Sequence, residues 1–134
     1  MLITRATNKD VLILIMPHLV EDKSLTRDVI VVELAYMMEF TPDDIFVSVA
    51  FDGKDLVAYT IGWIPKNREY IWLGQSWIKS GVSRDDVMRT LELVEEWGRD
   101  LGISEIRFET ERKAEALERA WGFNIHGYVM MKEL

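Results

Sequence analysis

Residues 71–101 read IWLGQSWIKSGVSRDDVMRTLELVEEWGRDL, and this stretch constrains the fold more tightly than any other. An apolar strand leads through a short glycine-containing loop into a long amphipathic helix. Ser83 precedes the helix, and Asp86 three residues on completes an S-x-x-D capping pattern. In that pattern the serine oxygen accepts from a free backbone N–H, and the carboxylate answers the positive helix end. Val87, Leu91, Val94, Gly98 and Leu101 recur at spacings of four and three. That spacing predicts one buried face, with Arg84, Glu92, Glu95 and Arg99 in solvent. Gly102 suits the left-handed position that ends such a helix. Glu105 to Glu111 reads as a strand, so the unit predicts a parallel pair, Tyr70–Ile78 beside Glu105–Glu111.

The loop aims a helix N-terminus beyond the end of the first strand, and unpaired N–H groups there favour an anion. Phosphate-cradling loops carry glycines that let the backbone close on the ligand. Here the first turn carries Asp85 and Asp86 instead, two carboxylates that repel a polyphosphate.

The 134 residues suit one domain, 1–134, with a sizeable core, and 49% of them are hydrophobic. A formal charge of −7 argues against nucleic acid and anionic membrane as partners, because both ask for a basic face. With no cysteine there are no disulfides and no thiolate metal sites. That fits a reducing compartment such as the cytoplasm, and no metal is expected. The longest apolar run, Val11 to Met16, falls far short of a membrane span, and no secretory leader is expected.

In chain order, Met1 to Arg5 predicts a first strand. Thr7 and Asp10 form a second capping pattern before a helix over Asn8–Met16, which Pro17 bends or ends. His18 reads as a loop histidine without a sequence neighbour to work with. A second helix is expected from Arg27 to Phe40, capped by Ser24 or Thr26, although Val29–Val32 would also suit a strand. Ile45–Phe51 alternates, Asp52-Gly53 marks a hairpin, and Leu56–Ile64 returns. With Tyr70–Ile78 these strands make an antiparallel meander. Its aromatic residues, Tyr59, Trp63, Tyr70, Trp72 and Trp77, read first as core or interface packing. On Glu105–Glu111 a charged face of Arg107, Glu109 and Glu111 predicts either a solvent-lined cleft or an ion pair within the sheet. A short helix, Arg112–Trp121, and a last strand, Asn124–Leu134, close the chain. The order is β-α-α-β-β-β-α-β-α-β, an α/β class with a mixed sheet flanked by helices.

That order resembles the GNAT acetyltransferase superfamily. Leu91 to Gly102 looks like the family's main helix ending in "EWARERG". Trp121-Gly122-Phe123 looks like its late "x-G-F" turn, and Gly127-Tyr128-Val129 with Lys132–Leu134 like its closing strand. The family's Q/R-x-x-G-x-G/A acyl-CoA loop falls on Val82 to Val87, where no position of the pattern matches. Trp77-Ile78-Lys79 corresponds to the strand end whose backbone pairs with the pantetheine arm. The tyrosine that often acts as general acid corresponds to Glu118, and the asparagine of the last helix to Glu111.

Two readings follow from the resemblance. In the first, the chain is a GNAT-fold protein without acyl-CoA binding, a non-catalytic interaction or assembly component. It would work with a protein partner or by self-association, and it resembles small virion-internal or accessory proteins of bacteriophages. No cofactor is then expected, and the location is cytoplasmic or virion-associated. In the second, it is a divergent N-acetyltransferase using acetyl-CoA on a small amine. Glu109 would then be the base and Glu118 the acid, with Trp77, Ile78, Lys79, Ser83 and Arg84 binding the cofactor.

Overall fold

Alternation along the central strands decides which side of the sheet each helix occupies. The computed structural model describes residues 1–21, 25–109, 124–126 and 129–134. In it, β1 (Leu2–Arg5), β2 (Ile45–Asp52), β3 (Asp55–Trp63) and β4 (Ile71–Ile78) pair antiparallel in succession. Strand β5 (Glu105–Glu109) lies parallel to β4, as the crossover predicts. Two further strands, β6 (Asn124–His126) and β7 (Val129–Glu133), give, among the described residues, one seven-stranded sheet of order β1-β2-β3-β4-β5-β7-β6.

Ile45, Val47 and Val49 turn to one face of the sheet, where α1 (Leu12–Ile15) and α2 (Arg27–Phe40) lie. Leu12, Ile15, Ile30, Leu34 and Met38 pack there with Tyr59 and Ile61. Phe46 turns to the other face, where α3 (Arg84–Asp100) sets Leu91, Val94 and Trp97 against Ile71 and Ile106. A Cβ on Gly98 would come within 2.7 Å of Ile71 Cδ1 and 2.9 Å of Leu134 Cδ1, so glycine is what lets α3 lie this close to the sheet. The same interface holds buried polar groups that are bonded to one another. Ser48 Oγ donates to the Thr90 carbonyl at 3.1 Å, Thr90 Oγ1 donates to the Val87 carbonyl at 2.7 Å, and Thr60 Oγ1 lies 3.3 Å from Thr90 Oγ1.

The expected caps at Thr26 and Ser83 are present, and Gly102 takes φ 73°. Five details differ from the sequence reading. The helix expected over Asn8–Met16 is a 3-10 turn, Lys9–Val11, followed by the four residues of α1 and a second 3-10 turn, Met16–His18. Its cap is Asn8, whose Oδ1 accepts from Asp10 N at 2.9 Å, rather than Thr7. Pro17 sits near the start of the second turn, where its missing N–H leaves no bond unmade. The closing strand expected over Asn124–Leu134 is two strands, paired antiparallel.

Leu101 is 48% exposed rather than buried. It is the C-cap residue of α3, still αR and bonded to the Trp97 carbonyl at 3.2 Å, so the helical spacing reaches it, but among the described residues no neighbouring element covers it at the helix end. Glu95 is 6% exposed rather than solvated. It is held by Arg99 Nη2 at 3.2 Å and by Lys132 Nζ, from β7, at 2.9 Å. The helix expected over Arg112–Trp121 lies outside the described residues.

Candidate functional site

The β4/β5 ladder, among the described residues, holds two register pairs, Ile71 with Ile106 and Trp72 with Arg107. Continued register would set Phe108 and Glu109 beside Leu73 and Gly74, and there the pairing stops. The cause lies on the other edge of β4. Ile61 pairs with Gln75 and Gly62 with Leu73, which leaves Gly74 as the extra residue of a β-bulge. A bulge bends its strand and increases the twist, carrying β4 away from β5. A Cβ at Gly74 would fall 1.8 Å from Cη2 of Trp63, whose indole covers the bulge, so no other residue fits under that ring.

Beyond Trp72 the β5-facing edge of β4, the wedge, is unpaired among the described residues. The N–H of Lys79 donates to the Val57 carbonyl at 2.8 Å, which fixes the alternation at this end of β4. Backbone groups of Trp77 and Gln75 therefore face β3, and those of Ser76 and Ile78 face the wedge. The resemblance assigns Trp77, Ile78 and Lys79 to the strand end whose backbone pairs with a pantetheine arm. Of these, Ile78 turns its backbone to the wedge, as does Ser76, because the phase of a ladder is set by its partner strand.

Helix α3 begins just past this strand end. Ser83 Oγ accepts from Asp86 N at 3.2 Å and donates to Asp86 Oδ2 at 2.7 Å. Asp85 and Arg84 are exposed beside it. Val87 is buried, so its branched side chain fills the core and does not project at the helix start.

The turn Met16–His18 and the residues after it are pinned to the face of β4 that carries Gln75 and Trp77. His18 stacks on Trp77 with ring centroids 3.6 Å apart and an interplanar angle of 14°. The Gln75 amide bonds Val20 both ways: Oε1 accepts from Val20 N at 3.1 Å, and Nε2 donates to Val20 O at 3.2 Å. His18 is thus a packed residue rather than a free loop side chain. Its partner on β4 is too distant in sequence for spacing to reveal.

On the charged strand, Arg107 is the one residue of the expected charged face whose side chain is described, and it is ion-paired. Arg107 donates from Nε at 3.0 Å and Nη2 at 2.7 Å to Glu105 Oε2, and its guanidinium lies 4.2 Å from the Tyr70 ring centroid. The backbone of Glu109 pairs with Val129 at the mouth of the wedge. The Glu109 side chain, Glu111 and Glu118 lie outside what the structure describes. Among the described residues no cluster of His, Asp and Glu is placed to hold a metal, and no helix is long and apolar enough to cross a membrane.

No family model and no curated protein sequence matches the chain. Solved structures do. A PaiA N-acetyltransferase from Thermoplasma acidophilum, in complex with coenzyme A, is similar over 100% of both chains, with 15% identity and a TM-score of 0.73. The ribosomal-protein-alanine N-acetyltransferase of Brucella melitensis is similar over 100% of both chains, with 16% identity and a TM-score of 0.73. A GNAT-family acetyltransferase from Streptococcus pneumoniae covers 99% of each chain, with 20% identity and a TM-score of 0.70. From its strand order and these full-length similarities, the chain has the fold of the GNAT N-acetyltransferases.

Proposed function

We propose that this chain uses the GNAT fold as an interaction or assembly component and does not carry acetyl-CoA as a working cofactor. The start of α3 carries the reading. The Ser83–Asp86 cap already occupies one free N–H, and Asp85 stands exposed beside it. A diphosphate docked there meets two carboxylates, and like charges ~4 Å apart repel by roughly 1–4 kcal/mol. The helix dipole returns only about 0.3–1 kcal/mol at an exposed terminus. Arg84 adds at most one charge-assisted bond, worth about 1.5–3 kcal/mol. The balance at the phosphate position is unfavourable. Calorimetric titration with acetyl-CoA tests this: the expected dissociation constant exceeds ~1 mM, which is weaker than about −4 kcal/mol of binding. Micromolar binding would overturn the reading. The charge argument also predicts that Asp85→Asn with Asp86→Asn tightens any residual binding at least ~10-fold.

A second reading is favoured by the wedge. The backbone groups of Ser76 and Ile78 could pair with the amides of a pantetheine arm as an added strand. The chain would then be a divergent N-acyltransferase: an amine attacks the thioester carbonyl, the amide forms, and the thiol leaves. Glu109 would take the amine proton and Glu118 would protonate the thiolate, with Ser83 and Arg84 at the phosphates. The coenzyme A complex of the Thermoplasma protein, on the same fold, supports this alternative. The same titration separates the two.

A further inference from the structure

Helix α2 is apolar on both sides. Ile30, Leu34 and Met38 are buried against the sheet, while Val29, Val32, Tyr36 and Phe40 are 42%, 68%, 60% and 64% exposed. At 3.6 residues per turn these four fall within an arc of about 80° opposite the buried set. The rings of Tyr36 and Phe40 lie together, with centroids 4.9 Å apart. Asp28, Glu33 and Glu39 stand at the margins of the stripe and none within it. A surface helix ordinarily presents charge on its outer side, and one that is apolar all round is a helix covered all round.

We propose that the outer face of α2 is a homodimer interface, on which α2 of a second copy packs antiparallel about a two-fold axis. The order of side chains argues for this occupant. The small pair, Val29 and Val32, lies in the N-terminal half, and the large pair, Tyr36 and Phe40, in the C-terminal half. An antiparallel copy sets Val32 against Tyr36 of the other chain and Val29 against Phe40, so that small side chains meet large ones and the contact fills. A parallel copy sets ring on ring and leaves the valines apart. The stripe is its own complement.

The stripe supplies part of the area such an interface needs. The four side chains expose on the order of 400 Å² of largely apolar surface, about half of the ~800 Å² per partner that a stable dimer needs. Ile13 and Leu14, exposed on α1 beside α2, and the aliphatic stems of Glu33 and Glu39 would have to supply the rest. Charge acts against association at long range, because each copy carries −7. The uncharged centre of the stripe confines that repulsion to the periphery, where salt screens it. The interface is independent of whether acetyl-CoA binds.

Sedimentation velocity on the full chain, from about 5 to about 200 µM, tests the proposal through mass action. A monomer–dimer equilibrium is expected, strengthened between about 0.05 and 0.5 M salt as repulsion is screened. Val32→Glu should raise the dissociation constant at least ~100-fold, because dimerisation would bury an unpaired charge. Its far-ultraviolet circular dichroism should not change, since the position is open in the monomer. The chain has no cysteine, so single-cysteine variants report geometry directly. A mixture of Val32→Cys and Tyr36→Cys should form the mixed disulfide faster than either variant couples to itself. A monomer throughout, a dimer indifferent to Val32→Glu, preferred like-with-like coupling, or mass gained only when a different protein is added would each overturn the proposal.

Discussion

Tyr59 places a phenol where water does not reach it. Its hydroxyl donates to the His18 carbonyl at 3.1 Å, its ring is buried, and burial pushes its pKa up to about 12. In the unfolded chain the phenol ionises near pH ~10, so between pH ~10 and ~12 the unfolded state releases a proton that the folded state keeps. This contribution is intact below pH ~10 and is lost as pH rises toward ~12, by roughly 2–3 kcal/mol. Urea melts at about pH 9 and 11 should show the loss, and Tyr59→Phe should remove Tyr59's share of the slope. The same variant should lose about 0.5–1.5 kcal/mol at neutral pH with its hydrogen bond. Glu95 makes a second test. It is buried between Arg99 and Lys132, and it ties α3 to β7. Lys132→Ala should therefore destabilise by about 1–3 kcal/mol, and Lys132→Arg by less.

At the scale of elements, α3 and the β4 bulge carry the architecture. Leu91 is buried between α3 and the sheet, so Leu91→Ala should cost about 2–5 kcal/mol through lost burial and the cavity left behind. A loss under about 1 kcal/mol would mean that the site collapses around the gap. Ser83→Ala should cost about 0.5–2 kcal/mol as the capping bond to Asp86 N disappears. Gly74→Ala drives a methyl group into the Trp63 indole and should cost about 1–3 kcal/mol or more. Because the clash is with that ring, Gly74→Ala combined with Trp63→Ala should lose less than the two single variants together.

The whole molecule is joined unevenly. Strands β2 and β3 share eight register pairs, whereas β4 and β5 share two. Across that narrow join the core under α3, with Phe46 and Ile71 on one side and Ile106 on the other, supplies the connection. Local opening is easiest where few hydrogen bonds must break, so amide exchange should be slowest in residues 45–63 and faster in 105–109 and 129–133. Equal protection of the two parts would show that packing under α3 welds them into one cooperative unit.

What could be read from the sequence was what short spacing encodes. The four-and-three repeat along Val87–Gly98, the alternation of Ile45–Phe51, the S-x-x-D cap at Ser83 and the Asp52-Gly53 turn lie within a few residues, so helix, meander and parallel crossover were all legible. The element order they give, with the Leu91–Gly102 segment, also carried the resemblance to the GNAT fold. The tertiary structure decided whatever depends on a distant partner. Glu95 is buried because Lys132 of β7 meets it, and the bulge residue of β4 is Gly74 because the Trp63 indole of β3 fills the space a Cβ would take. The wedge faces Ser76 and Ile78 because pairing with β3 sets the phase. On α2 the sequence offered apolar residues in every direction. Only packing on the sheet chose Ile30, Leu34 and Met38 as the inner face and left Val32, Tyr36 and Phe40 outside. A local pattern specifies periodicity, but which side is buried is settled by what the chain brings against it.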